Sequence, residues 1–366
     1  MQQAYATTPM IRITALTRRY GQFVALDNID LDVARGEFVT LLGPSGSGKS
    51  TLLNLISGMV NASDGRIEID GRDATHLPTN QRGLGMVFQN YALMPHMTVY
   101  ENIAFPLQIR KIPTREIETR VREVLQLVQL EHVGARKPRQ LSGGQQQRIS
   151  LARCLVYRPS IILMDEPLGA LDKKLREDMQ LEIKRLHADL GVTMIYVTHD
   201  QEEALAMSDR IVLMRKGRIE QHGAPEVMYS QPNTLFTADF LGSSNLFKGS
   251  FDPATRQLKT AQGTFLADAP RPGEPSSTEL ALMVRPESMR IGRNDRGNNI
   301  DGTVVESIGL GSFVRHFIET TEGKRIVIQE TGSASSDRPA RGGSVTVSWV
   351  PEDGRLLPID PDFDKL

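Results

Sequence analysis

Gly43-Pro44-Ser45-Gly46-Ser47-Gly48-Lys49-Ser50-Thr51 has the spacing G-x-x-x-x-G-K-[ST], which suits a loop wrapped around nucleotide phosphates. Gly43, Gly46 and Gly48 lack a Cβ, so the backbone there can curl until successive N–H groups face phosphate oxygens. A helix beginning at this loop adds the partial positive charge of its N-terminus. Lys49 would then reach the β- and γ-phosphates, and the Ser50 hydroxyl would take a coordination position on Mg²⁺.

Other residue types downstream fit the same chemistry. Ile161-Ile162-Leu163-Met164 is an apolar run that ends in Asp165, with Glu166 directly after it. Alternation along a strand would send the two acids to different sides, one toward a metal shell and the other toward an attacking water. Leu141-Ser142-Gly143-Gly144-Gln145 precedes a helical stretch reaching Val156; Ser142 is a natural N-cap there, and the glycines would leave the first amides of the helix uncovered for a second phosphate contact. His199 stands at the end of the β-rich run Val192 to Thr198, and Gln89 ends the run that begins at Leu84. The other histidines carry no comparable context.

These residues need a sheet whose strand ends face one way. Phe38 to Leu42 predicts the strand that feeds the loop, and Ser50 to Ser57 predicts the helix that leaves it, closed by Gly58. Ile11 and Ile13, and Ile29, Leu31 and Val33, alternate with polar neighbours as antiparallel strands do when one face is buried. Ile67 to Asp70 and Leu84 to Gln89 are further strands. In an open α/β sheet, ligand contacts gather at the carboxyl ends of the strands, where Gln89, Asp165 and His199 all fall. From Asn90 the pattern turns helical, and Ile117, Val121, Val124, Leu125 and Val128 mark one face of a helix over Glu116 to Leu130. A hairpin around Lys216-Gly217 and a loop-and-helix segment from Pro225 to Leu241 close this region.

With 366 residues and 39% hydrophobic content the chain can bury more than one core. A net charge of −1 gives no basic surface that would favour nucleic acid as a partner. The single cysteine, Cys154, excludes an internal disulfide framework and suits a small core residue in a reducing compartment. Met1 to Pro9 show neither a basic nor an apolar segment of a signal peptide, and no apolar run is long enough to span a bilayer. Any work at a membrane is therefore expected to be done alongside other chains.

The phosphate loop, Gln89, the Leu-Ser-Gly-Gly-Gln run, the Asp165-Glu166 pair, Ala170-Leu171-Asp172 and His199 occur in the order found in ATP-binding subunits of ATP-binding cassette (ABC) transporters, and residues 10 to 240 resemble that family. The resemblance implies that Tyr20 stacks on the adenine, that Gln89 and Asp165 help to hold Mg²⁺ and water, that Glu166 is the general base and that His199 contacts the γ-phosphate. It further implies that Ser142, Gly144 and Gln145 reach the γ-phosphate bound to a second copy and that Asp172 links the two sites. The ATPase would then be a homodimer on two transmembrane permease subunits at the cytoplasmic side of the inner membrane, served indirectly by an extracytoplasmic solute-binding protein and using ATP and Mg²⁺. A site completed only by closure of two copies would fire only on closure.

Asn90 to Val99, the run ending Gln145-Gln146-Gln147-Arg148, and Gly223-Ala224-Pro225-Glu226 look like importers of the spermidine/putrescine group and its ferric-iron and sugar relatives; Met94 stands where these often have phenylalanine, on the side that meets the membrane partner. After Leu241 the composition shifts to short β-rich pieces, Phe247 to Phe251, Gly263 to Ala267, Leu280 to Val284, Asp301 to Ser307, Val314 to Glu319, Arg325 to Gln329 and Ser344 to Val350, which predict a small barrel. With Val284-Arg285-Pro286-Glu287 it resembles the oligonucleotide/oligosaccharide-binding (OB) type, TOBE-like barrel that follows such ATPases. The reading is thus an α/β P-loop ATPase over residues 1–241, with a helical subdomain over about 90–158, followed by an all-β OB-type barrel over 242–366. Gly332 to Arg341 is expected to be a mobile loop. Two other readings stay open: a soluble ABC protein without a permease, which usually has paired cassettes or a coiled-coil insertion, and a ligand sensor in which hydrolysis is secondary.

Overall fold

Phe38–Leu42 is a strand in which every residue is buried, and the same holds for Thr193–Thr198. Such runs belong in the middle of a parallel sheet covered on both faces. The computed structural model describes residues 8–169, 171–268, 278–332, 339–360 and 363. The chain divides into two compact units, Met1–Glu226 and Val227–Leu366.

In the first unit the elements run Ile11–Tyr20 (β1), Phe23–Val33 (β2), Phe38–Leu42 (β3), Lys49–Ser57 (α1), Asp64–Ile69 (β4), Arg72–Asp73 (β5), Leu84–Val87 (β6), Val99–Ile109 (α2), Thr114–Leu127 (α3), Gly143–Leu155 (α4), Ile161–Asp165 (β7), Lys173–Leu190 (α5), Thr193–Thr198 (β8), Gln201–Met207 (α6), Arg210–Arg215 (β9) and Arg218–Gly223 (β10). β10-β9-β3-β8-β7-β6 form one sheet, parallel from β9 to β6, with β10 antiparallel at its edge. β2-β1-β4-β5 form a second, antiparallel sheet. The parallel sheet separates two cores by simple alternation. Val39, Leu41, Ile161, Leu163, Ile195 and Val197 pack with α1 and the antiparallel sheet. Phe38, Ile162, Met164, Met194 and Tyr196 pack on the other face with residues of α2 to α5.

Two expected boundaries shift. The strand from Leu84 stops at Val87, so Gln89 lies beyond its end rather than in it. The helix expected to reach Leu130 ends at Leu127, because Gln129 takes a φ of +57° and turns the chain away; Val128 and Leu130 are nevertheless buried.

Pro225–Ser230 (α7) runs across the division, and Leu235–Phe240 (α8) belongs to the second unit. The composition shift after Leu241 falls later than this division, because Leu235 and Ala238 of α8 are buried with Leu246, Ala281, Met283 and Leu357. The strands that follow are Asn245–Asp252 (β11), Gln257–Thr260 (β12), Gly263–Leu266 (β13), Glu279–Val284 (β14), Arg290–Ile291 (β15), Asn298–Gly309 (β16), Phe313–Thr320 (β17), Arg325–Thr331 (β18), Ser344–Trp349 (β19) and Gly354–Pro358 (β20). They make two five-stranded sheets, β13-β12-β11-β14-β20 and β15-β19-β16-β17-β18. Between them lies a core that includes Phe247, Phe265 and Trp349, with the Phe247 and Trp349 rings stacked at 5.6 Å. Two buried asparagines tie the sheets together. Asn245 accepts from the Val327 amide at 2.8 Å and donates to the Val327 carbonyl at 2.7 Å, and Asn298 does the same with Leu266 at 2.7 and 2.8 Å. Each side chain substitutes for a ladder residue, satisfying backbone groups that would otherwise be buried without partners. The two sheets of the second unit thus form an OB-type β-fold, preceded by α8. Of the loop expected over Gly332 to Arg341, residues 333–338 lie outside the described residues.

Candidate active site

The loop between β3 and α1 is held in a shape that only glycine permits. Gly43, Gly46 and Gly48 have φ values of +150°, +78° and +105°. A Cβ on Gly43 would lie 2.3 Å from the Met214 carbonyl, and one on Gly48 would lie 2.6 Å from Leu26 and 2.9 Å from the Ala25 carbonyl. Around Gly46 nothing lies within 4 Å of that position, and Ser45 beside it is exposed. The loop is therefore pressed against β2 and β9 on one side and open on the other. Gly217 reinforces the first side, accepting from the Asp27 amide at 2.9 Å and donating to the Ser47 carbonyl at 3.1 Å. Lys49 is buried, and its Nζ donates to the Gly43 and Pro44 carbonyls at 2.7 and 3.0 Å. Burial pulls its pKa below the usual lysine value, against the opposing pull of Glu166 and Asp165. Ser47, not singled out by the loop pattern, places a buried hydroxyl that has no hydrogen-bond partner among the described residues. Thr51 follows in the first turn of α1, half-buried.

The ends of two adjacent strands, β7 and β8, supply the groups beside this loop. Asp165 closes β7, and its Oδ1 accepts from the Ser50 hydroxyl at 3.1 Å. Burial raises the pKa of this carboxyl; the Ser50 hydrogen bond lowers it in part, and neighbouring Glu166 adds to the rise. Glu166 is placed differently from the expectation of strand alternation. It lies past the strand with a φ of +43°, and its amide donates to the Val197 carbonyl of β8 at 3.0 Å. The turn, not the pleat, separates it from Asp165 and brings its Oε1 to 3.3 Å from His199 Nδ1. The His199 side chain is 60% exposed and that of Glu166 only 23%, so the pair offers one open and one sheltered group.

The remaining expected residues sit apart from this cluster in their contacts. Gln89 is exposed beyond β6 and has no side-chain hydrogen bond among the described residues. Tyr20 ends β1 with 47% exposure, and the Arg18 guanidinium lies over its ring at 4.3 Å. Asp172 is the N-cap of α5, accepting from the Leu175 amide at 3.0 Å; Ala170 before it lies outside the described residues.

At α4 the glycine pattern has a packing cause that the sequence reading did not contain. A Cβ on Gly144 would stand 2.9 Å from Leu175 and one on Gly143 would stand 3.3 Å from Leu171, so these positions stay small because α5 and its preceding loop press on them. Nor are all the first amides uncovered. Ser142 Oγ accepts from the Gln145 amide at 3.3 Å, while Gln145 Oε1 accepts from the Ser142 amide at 3.0 Å, a reciprocal capping box. Among the described residues, no hydrogen bond joins Ser142 or Gln145 to the phosphate loop of the same chain.

Two supports were not legible as motifs. Arg82 is buried, and its guanidinium donates to the Leu55 and Ile56 carbonyls at 2.7 and 2.8 Å, covering the C-terminal end of α1 where the helix dipole favours a cation. Its sequence surroundings show only Pro78 and Gly83 as punctuation between two strands. Ser150 and Arg153 of α4 both donate to the Tyr91 carbonyl at 2.9 Å, and Arg153 also reaches the Ala92 carbonyl at 2.6 Å, holding two residues with φ of +59° and +47° directly after Gln89-Asn90. Helical spacing of polar residues in α4 was the only available signal.

A glycine-shaped loop, a helix N-terminus, a sheltered lysine and two acids at the end of β7 define an ATP-binding P-loop fold, here followed by a unit built on two β-sheets. Known proteins agree with it. A family profile for ABC transporter matches residues 26–169, and one for TOBE domain matches residues 282–357. Spermidine/putrescine import ATP-binding protein PotA of Thermobifida fusca is 46% identical over 360 residues, covering 96% of this chain and 94% of that protein. Its counterpart by name in Marinobacter nauticus is 44% identical over 364 residues, covering 96% of both chains. Among solved structures, cbiO1 from Clostridium perfringens, part of the ABC transporter complex cbiONQ, aligns with a TM-score of 0.57 at 30% identity, covering 60% of this chain and 90% of that one. A dimeric bacterial ABC transporter cassette, MJ0796, aligns with a TM-score of 0.54 at 37% identity, covering 59% and 99%. The chain belongs to the ABC transporter family, as an ATP-binding ATPase of the import type. Among the described residues no helix is long and apolar enough to cross a membrane.

Proposed function

We propose that two copies of this chain bind and hydrolyse ATP with Mg²⁺ between them and so power uptake of spermidine and putrescine through a membrane permease. The observation that supports the chemistry best is the placing of Ser50, Asp165, Glu166 and His199 at the mouth of one glycine loop. The polyamine assignment is supported by likeness extending through both units to relatives named for spermidine/putrescine import.

In this reading Gly43, Ser45, Gly46, Gly48, Lys49, Ser50 and Thr51 hold the phosphates, and Tyr20 offers its ring to the adenine, a stacking contact suited to an aromatic side chain. Residues suited to Mg²⁺ are present. Ser50 Oγ and Asp165 Oδ1 are hard oxygen donors 3.1 Å apart, and Asp165 shares a partly buried setting with Glu166, whose negative charge a cation would offset. Such a pair with substrate phosphates is how this ion is commonly held. Gln89 would join them. When bound, the ion supplies charge neutralisation on the phosphate oxygens. Glu166 takes the proton of the attacking water, and His199 steadies the terminal phosphate from the next strand. Ser142, Gly144 and Gln145 complete the site on the other copy, with Asp172 between the two sites. The Ser142–Gln145 cap would have to share or yield its hydrogen bonds on closure. The dimer would sit peripherally on the cytoplasmic face of the inner membrane against two permease subunits, with an extracytoplasmic binding protein delivering solute and no nucleic acid involved.

Uptake of labelled putrescine and spermidine tests this in cells lacking the chain and complemented with the parent or Lys49→Ala. Uptake restored only by the parent is expected. Equal uptake in all strains would remove polyamine as the cargo while leaving the ATPase in place.

A further inference from the structure

Two segments given work above, one around Asp172 and one around His199, are joined by a single side chain that no motif contains. Arg176, in the first turn of α5, donates from Nη2 to the Leu171 carbonyl at 3.1 Å and from Nη1 to Asp200 Oδ2 at 3.3 Å. Leu171 immediately precedes Asp172, and Asp200 immediately follows His199. Arg176 Nε lies 3.8 Å from Glu203 Oε1, too long for a hydrogen bond but close enough for charge attraction.

The far side of this bridge is fixed. Asp200 Oδ1 accepts from the Glu202 and Glu203 amides at 2.8 and 3.3 Å as the N-cap of α6, and the Asp200 amide donates to Thr198 Oγ1 at 3.0 Å. Thr198 Oγ1 in turn donates to Glu203 Oε2 at 2.7 Å, and the Tyr196 hydroxyl donates to the same oxygen at 2.8 Å. His199 is therefore flanked by two residues locked into β8 and α6. The near side is fixed as well, because Asp172 caps the helix that carries Arg176. Side chains of both Arg176 and Asp200 are about 30% exposed or less, so the pair is shielded more than a surface ion pair. A planar guanidinium can serve both acceptors at once, whereas an ammonium on a flexible stem holds one geometry less well.

We propose that Arg176 is a positioning residue that sets the spacing between the Leu171–Asp172 segment and the His199–Asp200 segment, so that the link between the two sites and the His199 contact to the phosphate are held in register. The proposal rests on the roles given to Asp172 and His199 above. It also makes the interior of one chain the relay by which events at the dimer-facing Asp172 reach the hydrolytic His199.

The test is steady-state ATP hydrolysis by the full chain. Arg176→Gln is expected to lower kcat about tenfold or more while KM for ATP stays within about twofold, because the side chain touches the two loops and none of the phosphate-loop residues. Asp200→Asn, which keeps an oxygen for the α6 cap, is expected to lower kcat in the same way, and the double variant no further than the weaker single one. Arg176→Lys should fall between parent and Arg176→Gln, and it carries the comparison should the Gln variant not fold. Additive losses in the double variant, or a rise in KM equal to the loss in kcat, would assign Arg176 to general stability and overturn the proposal. Glu166→Gln run alongside separates the two levels of the argument. If that variant is dead while Arg176→Gln hydrolyses at the parent rate, the positioning role alone is wrong; if Glu166→Gln is fully active, the site reading beneath it is wrong too.

Discussion

Glu166 Oε1 stands 3.3 Å from His199 Nδ1, across the ends of the adjacent parallel strands β7 and β8. The contact exists because Glu166 leaves the strand with a positive φ and anchors its amide on Val197, the residue two before His199. A carboxylate held this way is fixed beside His199 without any contribution from the nucleotide. Glu166→Gln is isosteric and should preserve that anchor while removing the proposed base. ATP binding, read by a fluorescent analogue, is expected to stay at the parent level, and steady-state hydrolysis to fall by about 10²–10⁴-fold. Hydrolysis at the parent rate would move the base to another residue.

Ser142 has two separable duties in this scheme. As the N-cap of α4 it satisfies the Gln145 amide, and losing that contact in Ser142→Ala should cost about 1 kcal/mol of stability in a denaturant titration. Asparagine caps as well as serine but reshapes the end of the side chain. Ser142→Asn is therefore expected to match the parent in stability and lose hydrolysis in the dimer. If both variants hydrolyse ATP normally, Ser142 is a cap and nothing more.

How much of this was legible in sequence depended on the range of the forces involved. Gly43 to Thr51, the flanking β3 and α1, the buried run ending at Asp165 and the Ser142 cap are set by neighbours a few residues away, and they lie where the pattern put them. The conformation of Glu166 is set by a hydrogen bond to another strand, and local alternation therefore misjudged how it parts from Asp165. Gly144 is small because Leu175 lies against it, a reason invisible from α4 alone. In the second unit β20 was missed because Gly354–Pro358 carries turn residues and pairs with Leu280–Val284, far away in the chain. Asn245 and Asn298, which join the two sheets, have the composition of ordinary loop residues. Arg82, Arg153 and Arg176 likewise act through carbonyls supplied by distant segments.

Gly85 in β6 is fixed by Cys154 of α4. A Cβ on residue 85 would lie 2.2 Å from the Cys154 sulfur and 3.0 Å from Pro159, with the Tyr157 hydroxyl oxygen at 3.4 Å. Gly85→Ala should therefore destabilise the first unit by about 1–3 kcal/mol, the usual cost of overpacking. Adding Cys154→Ala removes the nearer obstacle, and the double variant is expected to recover part of the loss in thermal denaturation. The same burial pushes the Cys154 thiol up to about 12, so it should resist thiol reagents until the protein unfolds. Rapid labelling of the native protein, or no recovery in the double variant, would contradict this packing.

Glu203 gives the buried network beside His199 a pH dependence of definite sign. Burial raises its carboxyl above the ordinary value of 4.5, and hydrogen bonds from Thr198 and Tyr196 together with the Arg176 charge offset only part of that rise. The unfolded carboxyl loses its proton near the ordinary value, and the folded one loses it at higher pH. Between these points the folded state binds more protons than the unfolded state, so stability falls as pH rises. The contribution is complete below 4.5 and is lost as pH passes the raised folded value. Glu203→Gln does not titrate, and its amide oxygen can still accept from Tyr196 and Thr198. The stability of the parent relative to this variant, followed by urea midpoints at a series of pH values, is expected to decline across that window and then level off. A difference that grew with pH would mean that Arg176 holds Glu203 ionised and that the charge pair, not burial, governs the network.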